Sequence, residues 1–127
     1  MKFWIFGSIQ YYRPGWTTKR GLCFLWQKLT RGFSDDATWS LDRTIAKFTV
    51  PRLKRLRELE CGHPGCYTEE QWDGMVDRMI WSLEAVIKDG EGKLYEDCKT
   101  SEDYRKIDCR MQEGLVLFGR NFQGLWW

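Results

Sequence analysis

The chain is short of most of the ingredients of catalysis. It holds one histidine, His63, set in a turn with no carboxylate partner close by in sequence. No glycine-rich phosphate loop, no nucleophile elbow and no acid pair flanked by apolar residues is present. No local motif therefore argues for an enzyme, and no cofactor is expected. Charge of one sign is scarce too: the net charge is +2, which excludes a polycation built to coat nucleic acid. Apolar runs are brief. The strip Met1–Gly7 gives way to Gln10, Tyr11, Tyr12 and Arg13, too short for a signal-peptide core and far too short to span a bilayer. No membrane partner is expected. Internal repeats, low-complexity tracts and strands of alternating pattern are absent as well. The five cysteines, Cys23, Cys61, Cys66, Cys98 and Cys109, are odd in number. With no export signal, they read as reduced thiols of a cytoplasmic protein.

What is present in excess is aromatic surface. Length, 127 residues, suits one domain with one modest core, and 43% hydrophobic with 30% charged residues suits a globular chain. Eight tryptophans do not suit so small an interior. Indole is bulky and carries an N–H that needs a partner, so some of these side chains belong at a surface, lining a pocket or an interface.

Hydrophobic periodicity gives an all-α expectation, about four helices in a compact bundle behind an aromatic-rich segment at 1–16. Pro14-Gly15 marks a turn. A first helix opens at Thr17 or Thr18, carries Leu22, Leu25, Trp26 and Leu29 on one face, and closes at Gly32. Ser34, Asp35 and Asp36 supply a cap and negative charge for a second, where the macrodipole favours them. Its stripe is Leu41, Ile45 and Phe48, with Leu53, Leu56 and Leu59 beyond Pro51, where a kink or restart is expected. After a break at 61–65, Thr68 with Gln71 forms a capping box for the cleanest stripe: Trp72, Met75, Val76, Met79, Ile80, Leu83 and Ile87. The fourth helix starts at Thr100 and aligns Tyr104, Ile107, Met111, Leu115, Phe118 and Phe122, weakened by Gly114, Gly119 and Gly124.

Residues that break these stripes are the candidates for function. Trp81, Phe24, Trp39, Val50 and Leu117 fall off-stripe, and Trp and Phe are enriched at interfaces, so a homo-oligomer or partner surface is expected. Arg52 breaks the pattern the other way, inside an apolar stripe. Either Pro51 resets the helical phase and frees it, or it is paired or faces a polar cavity where it could take an anion. Lys54, Arg55 and Arg57 crowd the same helix and, with Asp42 and Trp39 upstream, make up a candidate nucleotide or anion site, since the guanidinium fork suits phosphate. Most charge runs are solvated faces, and Glu58 and Glu60 partly neutralise this one. Cys61, His63 and Cys66 would be the ligands if the 61–66 loop held zinc, although Gly62, Pro64 and Gly65 account for that loop without a metal.

The stretch Gly32-Phe33-Ser34-Asp35-Asp36-Ala37-Thr38-Trp39-Ser40-Leu41-Asp42, continued by Ile45-Ala46-Lys47-Phe48 and Pro51-Arg52-Leu53-Lys54, resembles a family of small bacteriophage proteins with no assigned activity. The likeness extends more loosely through Gly62-His63-Pro64, Glu69-Glu70-Gln71-Trp72 with Met79-Ile80, and Glu113-Gly114-Leu115 with Leu117-Phe118. It implies a setting, the cytoplasm of an infected bacterium, and points to Asp36, Trp39, Asp42, Pro51 and Arg52. The expectation is a small non-catalytic phage accessory protein that acts by binding, sequestering a host signalling nucleotide or blocking a host protein. The alternative is a homo-oligomeric structural or assembly protein that buries Trp39, Trp81 and Trp127, and a nucleic-acid module comes third.

Overall fold

The computed structural model describes residues 2–5, 8–11, 18–59 and 62–126, with side chains from residue 20 onward. The fold is all-α with four long helices, as the periodicity predicts. Helix α1 is Thr18–Arg31, α2 is the short Asp35–Trp39, α3 is Leu41–Leu59, α4 is Glu69–Gly90 and α5 is Ser101–Arg120, followed by a 3₁₀ turn at Phe122–Gly124. One addition was not expected. Strands β1 (Lys2–Ile5) and β2 (Ser8–Tyr11) pair antiparallel, with Phe3 opposite Gln10 and Trp4 opposite Ile9. The aromatic and β-branched residues there favour extended backbone, and the ladder satisfies its polar groups.

Contacts divide the chain into two units, Met1–Ile45 and Ala46–Trp127. The second owns the core. Ala46, Val50 and Leu53 of α3 pack with Met79 and Leu83 of α4, and Met79 has no solvent exposure at all. Leu115, Leu117 and Phe118 of α5 close over this cluster. The α4 stripe lies where its periodicity predicts: Trp72, Val76, Met79 and Leu83 are buried, with Met75, Ile80 and Ile87 half-buried beside them. Its capping box is formed, Gln71 N donating to the Thr68 hydroxyl at 3.2 Å and Thr68 N to Gln71 Oε1 at 3.0 Å. Thr100 and Asp103 repeat the device at α5.

Two readings of α3 need correction. The helix does not restart at Pro51 but continues through it, and the break between helices lies upstream at Ser40. Proline removes one hydrogen bond and its ring crowds the preceding turn, at about 3 kcal/mol, a cost that the burial of Val50 and Leu53 on either side, about 1.5–3 kcal/mol each, offsets. Upstream of Pro51 the buried stripe is also not the expected one, although Leu53 and Leu56 beyond it turn to the core as expected. Val50, expected off-stripe, is 7% exposed, whereas Leu41, Ile45 and Phe48 are 53%, 46% and 56% exposed. The helix carries two apolar stripes, and the one containing the small Ala46 faces α4. Tyr104 on α5 and Phe122 in the turn that follows it are likewise exposed where burial was expected.

The glycine at 114 has a structural reason. A methyl group there would overlap the Ser82 hydroxyl and come within 2.5 Å of the Arg78 carbonyl oxygen. The α4–α5 crossing is that close, and Ser82 Oγ, fully buried, donates to the Arg110 carbonyl at 3.2 Å. The α4–α5 connector is tied down in turn. Tyr95 donates its hydroxyl to Asp108, which pushes the Tyr95 pKa up to about 12, and its ring lies against Tyr104 at 5.2 Å.

Gly114→Ala should therefore destabilise the protein by about 1–3 kcal/mol through overpacking, despite the better helix propensity of alanine. Gly119, on the same helix, faces open space, and Gly119→Ala should stabilise by about 0.5–1 kcal/mol. Urea midpoints shifted in opposite directions are the expected result.

Candidate interaction surface

The surface begins with how α1 is held. Gln27 and Arg31 stand one turn apart, on the side of the helix opposite Leu22, Leu25, Trp26 and Leu29. Both reach the start of α2. Gln27 Nε2 donates to Asp35 Oδ2 at 2.8 Å, and the Asp35 backbone N–H donates back to Gln27 Oε1 at 2.9 Å. Arg31 pairs with the same carboxylate, donates Nε–H to the Phe33 carbonyl at 3.1 Å and lies over the Phe33 ring at 4.5 Å. The joint thus grips α1 by its polar face. Held this way, α1 turns its apolar ridge to solvent: Leu22, Leu25, Trp26 and Leu29 are 64%, 48%, 68% and 73% exposed. This reverses the expectation that the ridge is a core face.

Nothing apolar is sheltered in its place. Among the described side chains of residues 20–45, Ser34 alone is buried, its hydroxyl donating to the Asp36 carboxylate. Trp39 stands almost entirely in solvent at 91%. Each uncovered Leu or Trp forgoes about 1.5–3 kcal/mol of burial, while an exposed hydrogen bond or ion pair contributes about 0.5–1.5 kcal/mol. The ridge outweighs the joint that presents it.

The other expected interface residues are drawn inward. Trp81 is half-buried with the Arg110 guanidinium 3.9 Å over its ring, Leu117 packs against the core, and Phe24 is half-buried. Trp127 lies outside the described residues. Only Trp39 stands out as the off-stripe reading anticipated. The α1 ridge was missed because an apolar stripe at helical spacing ordinarily faces a core. The available signal was the Gln27–Asp35 spacing, legible only once α2 is known to fold back on α1.

The basic cluster does not converge on a pocket. Arg57 spans to α4, donating Nε–H to Asp77 at 2.6 Å and approaching Asp73 at 3.4 Å. Lys54 pairs with Glu84 at 2.6 Å and Arg55 with Glu58 at 3.1 Å. Arg52 is exposed although the helix never restarts at Pro51. Its guanidinium lies 3.6 Å over the Phe48 ring and donates to the Phe48 carbonyl at 2.7 Å. Asp42 is exposed in the first turn of α3. Of the zinc candidates, Cys61 lies outside the described residues, while His63 and Cys66 are exposed. Among the described residues no three metal-ligating side chains gather, and no helix is long and apolar enough to cross a membrane. Comparison with protein-family models, with curated proteins and with solved structures finds no match.

Arg31 first and Gln27 second hold the Asp35 carboxyl below its ordinary value of 3.8. A depressed carboxyl contributes stability that is present above the ordinary value and lost as pH falls through the lowered one. A carbon-detected NMR titration should place Asp35 below 3.8, and Arg31→Ala should raise it. An Asp35 midpoint unmoved by that substitution would contradict the joint.

Proposed function

We propose that this chain acts by binding, as a small non-catalytic interaction module whose contact surface is the α1 ridge. One observation carries the reading: the Asp35 joint commits the polar face of α1 inward and leaves four large apolar side chains uncovered. Contiguous apolar surface of this kind marks interaction sites on globular proteins, and Trp is the residue type most often found at their energetic centres. The resemblance of residues 32–54 to small phage proteins suggests the setting, an accessory role in the cytoplasm of an infected bacterium. Blocking a host protein and assembling with itself both need such a ridge. Sequestering a signalling nucleotide draws less support, because Lys54, Arg55 and Arg57 already face Glu84, Glu58, Asp73 and Asp77.

The exposed thiols supply the test. Leu29, in the ridge, is 73% exposed, and Cys66 and Cys109 are exposed elsewhere. In intact producing cells, N-ethylmaleimide should alkylate the thiol of Leu29→Cys several-fold more slowly than Cys66 and Cys109. Equal rates at the three thiols would mean that nothing covers the ridge, and the binding reading would fail.

A further inference from the structure

We infer that the α1 ridge is covered by a second copy of this chain, and that it docks on the acidic unit 46–127 of that copy. The inference rests on the binding reading above and names its partner.

Three observations lead there. The first is the lack of shelter in the first unit. A 14-residue helix is marginal alone and owes its stability to packing of its apolar face. No large hydrophobic side chain among the described residues 20–45 is buried, and eight are exposed. Units this small seldom hold together without a staple or an oligomer contact.

The second is charge. Residues 1–45 carry seven Lys and Arg against three Asp, and residues 46–127 carry thirteen against fifteen Asp and Glu, giving +4 and −2. Helix α1 itself has Lys19, Arg20, Lys28 and Arg31 and no acid. Ridge against ridge would set two such helices side by side, like charge against like. Ridge against the acidic unit joins opposite signs, and that unit offers exposed apolar side chains at Tyr104, Val116, Phe122 and Trp126. Complementary fields of this kind set which surfaces meet.

The third is area. The four ridge side chains, 48–73% exposed, present on the order of 400–500 Å² of apolar surface, a large part of the roughly 800 Å² each partner contributes to a standard interface. A two-fold exchange would bury that area twice.

An anionic lipid surface is the competing occupant of a basic amphipathic helix. It needs cations flanking the ridge. Here Arg31 is paired with Asp35 and the Lys28 Nζ is buried, so the helix keeps those two charges on its inner side.

The experiment uses the full chain purified in two forms, ¹⁴N and ¹⁵N, each with the photo-crosslinker p-benzoylphenylalanine in place of Trp26. Sedimentation equilibrium should give a mass at least twice 15.2 kDa, and irradiation of the mixture should give ¹⁴N–¹⁵N adducts between α1 and peptides of residues 46–126. Trp26→Glu should return the mass to that of one copy. Because that variant could unfold, the aromatic crosslinker carries the decision. A single-copy mass, adducts confined to one copy, or inter-copy adducts between α1 and α1 would overturn the inference. So would co-sedimentation with vesicles containing 30% phosphatidylserine in place of self-association. A single-copy mass with the Leu29→Cys thiol still protected in cells would leave the binding reading standing and remove only the second copy as its partner.

Discussion

A helix that meets its neighbours along one seam can bury only one stripe there, and α3 carries two. The seam takes Ala46, Val50 and Leu53, which meet Met79 and Leu83 and close the core. That choice turns Leu41, Ile45 and Phe48 outward and places Arg52 over the Phe48 ring in solvent. Ala46 accounts for the preference. A small side chain lets the fully buried Met79 approach, and close packing is where most dispersion and burial energy is gained. The fate of the basic cluster follows from the same rotation. Once Leu53 points at α4, Lys54 and Arg57 reach Glu84, Asp73 and Asp77 on that helix, so charges that look like an anion site along the sequence act as rungs between two helices.

The first unit inverts the usual arrangement of an amphipathic helix. Its polar face is occupied by one carboxylate that accepts from Gln27 and Arg31 together, and its apolar face is bare. Such a joint is directional, because hydrogen bonds fix an angle where apolar contact tolerates many. It orients the ridge with little stability of its own. Apolar coverage adds stability with little orientation. The division of labour is what an interaction surface requires: a pre-set face whose burial is deferred until a partner arrives.

Legibility in the sequence followed the local character of each signal. The α4 stripe, the Thr68–Gln71 capping box and the Thr100 start of α5 were readable because their signals lie within a few residues along the chain, while the second box, Thr100 with Asp103, emerged only in the structure. The hairpin at 2–11 was not, since a four-residue strand has too few alternations to stand out from an aromatic strip. Trp81 and Leu117 were misplaced for a different reason: each meets its cover, Arg110 or the core cluster, through a contact more than nine residues away in sequence or on another helix. Trp39 was placed outward correctly, having no such cover at 91% exposure.

The amino-acid order by itself determined that the chain is helical, where its helices begin, that α4 is a core helix, and that more large apolar side chains exist than one small interior can hold. These are consequences of periodicity, capping and volume, each of which acts over a turn or two or on the total. Which stripe of α3 is buried, which face of α1 is gripped, and whether the arginines meet anions of a ligand or of their own neighbours were decided only in three dimensions. Each of those depends on a pairing across the fold, and an apolar stripe or a guanidinium is chemically the same whether its partner is another helix, solvent or a second molecule.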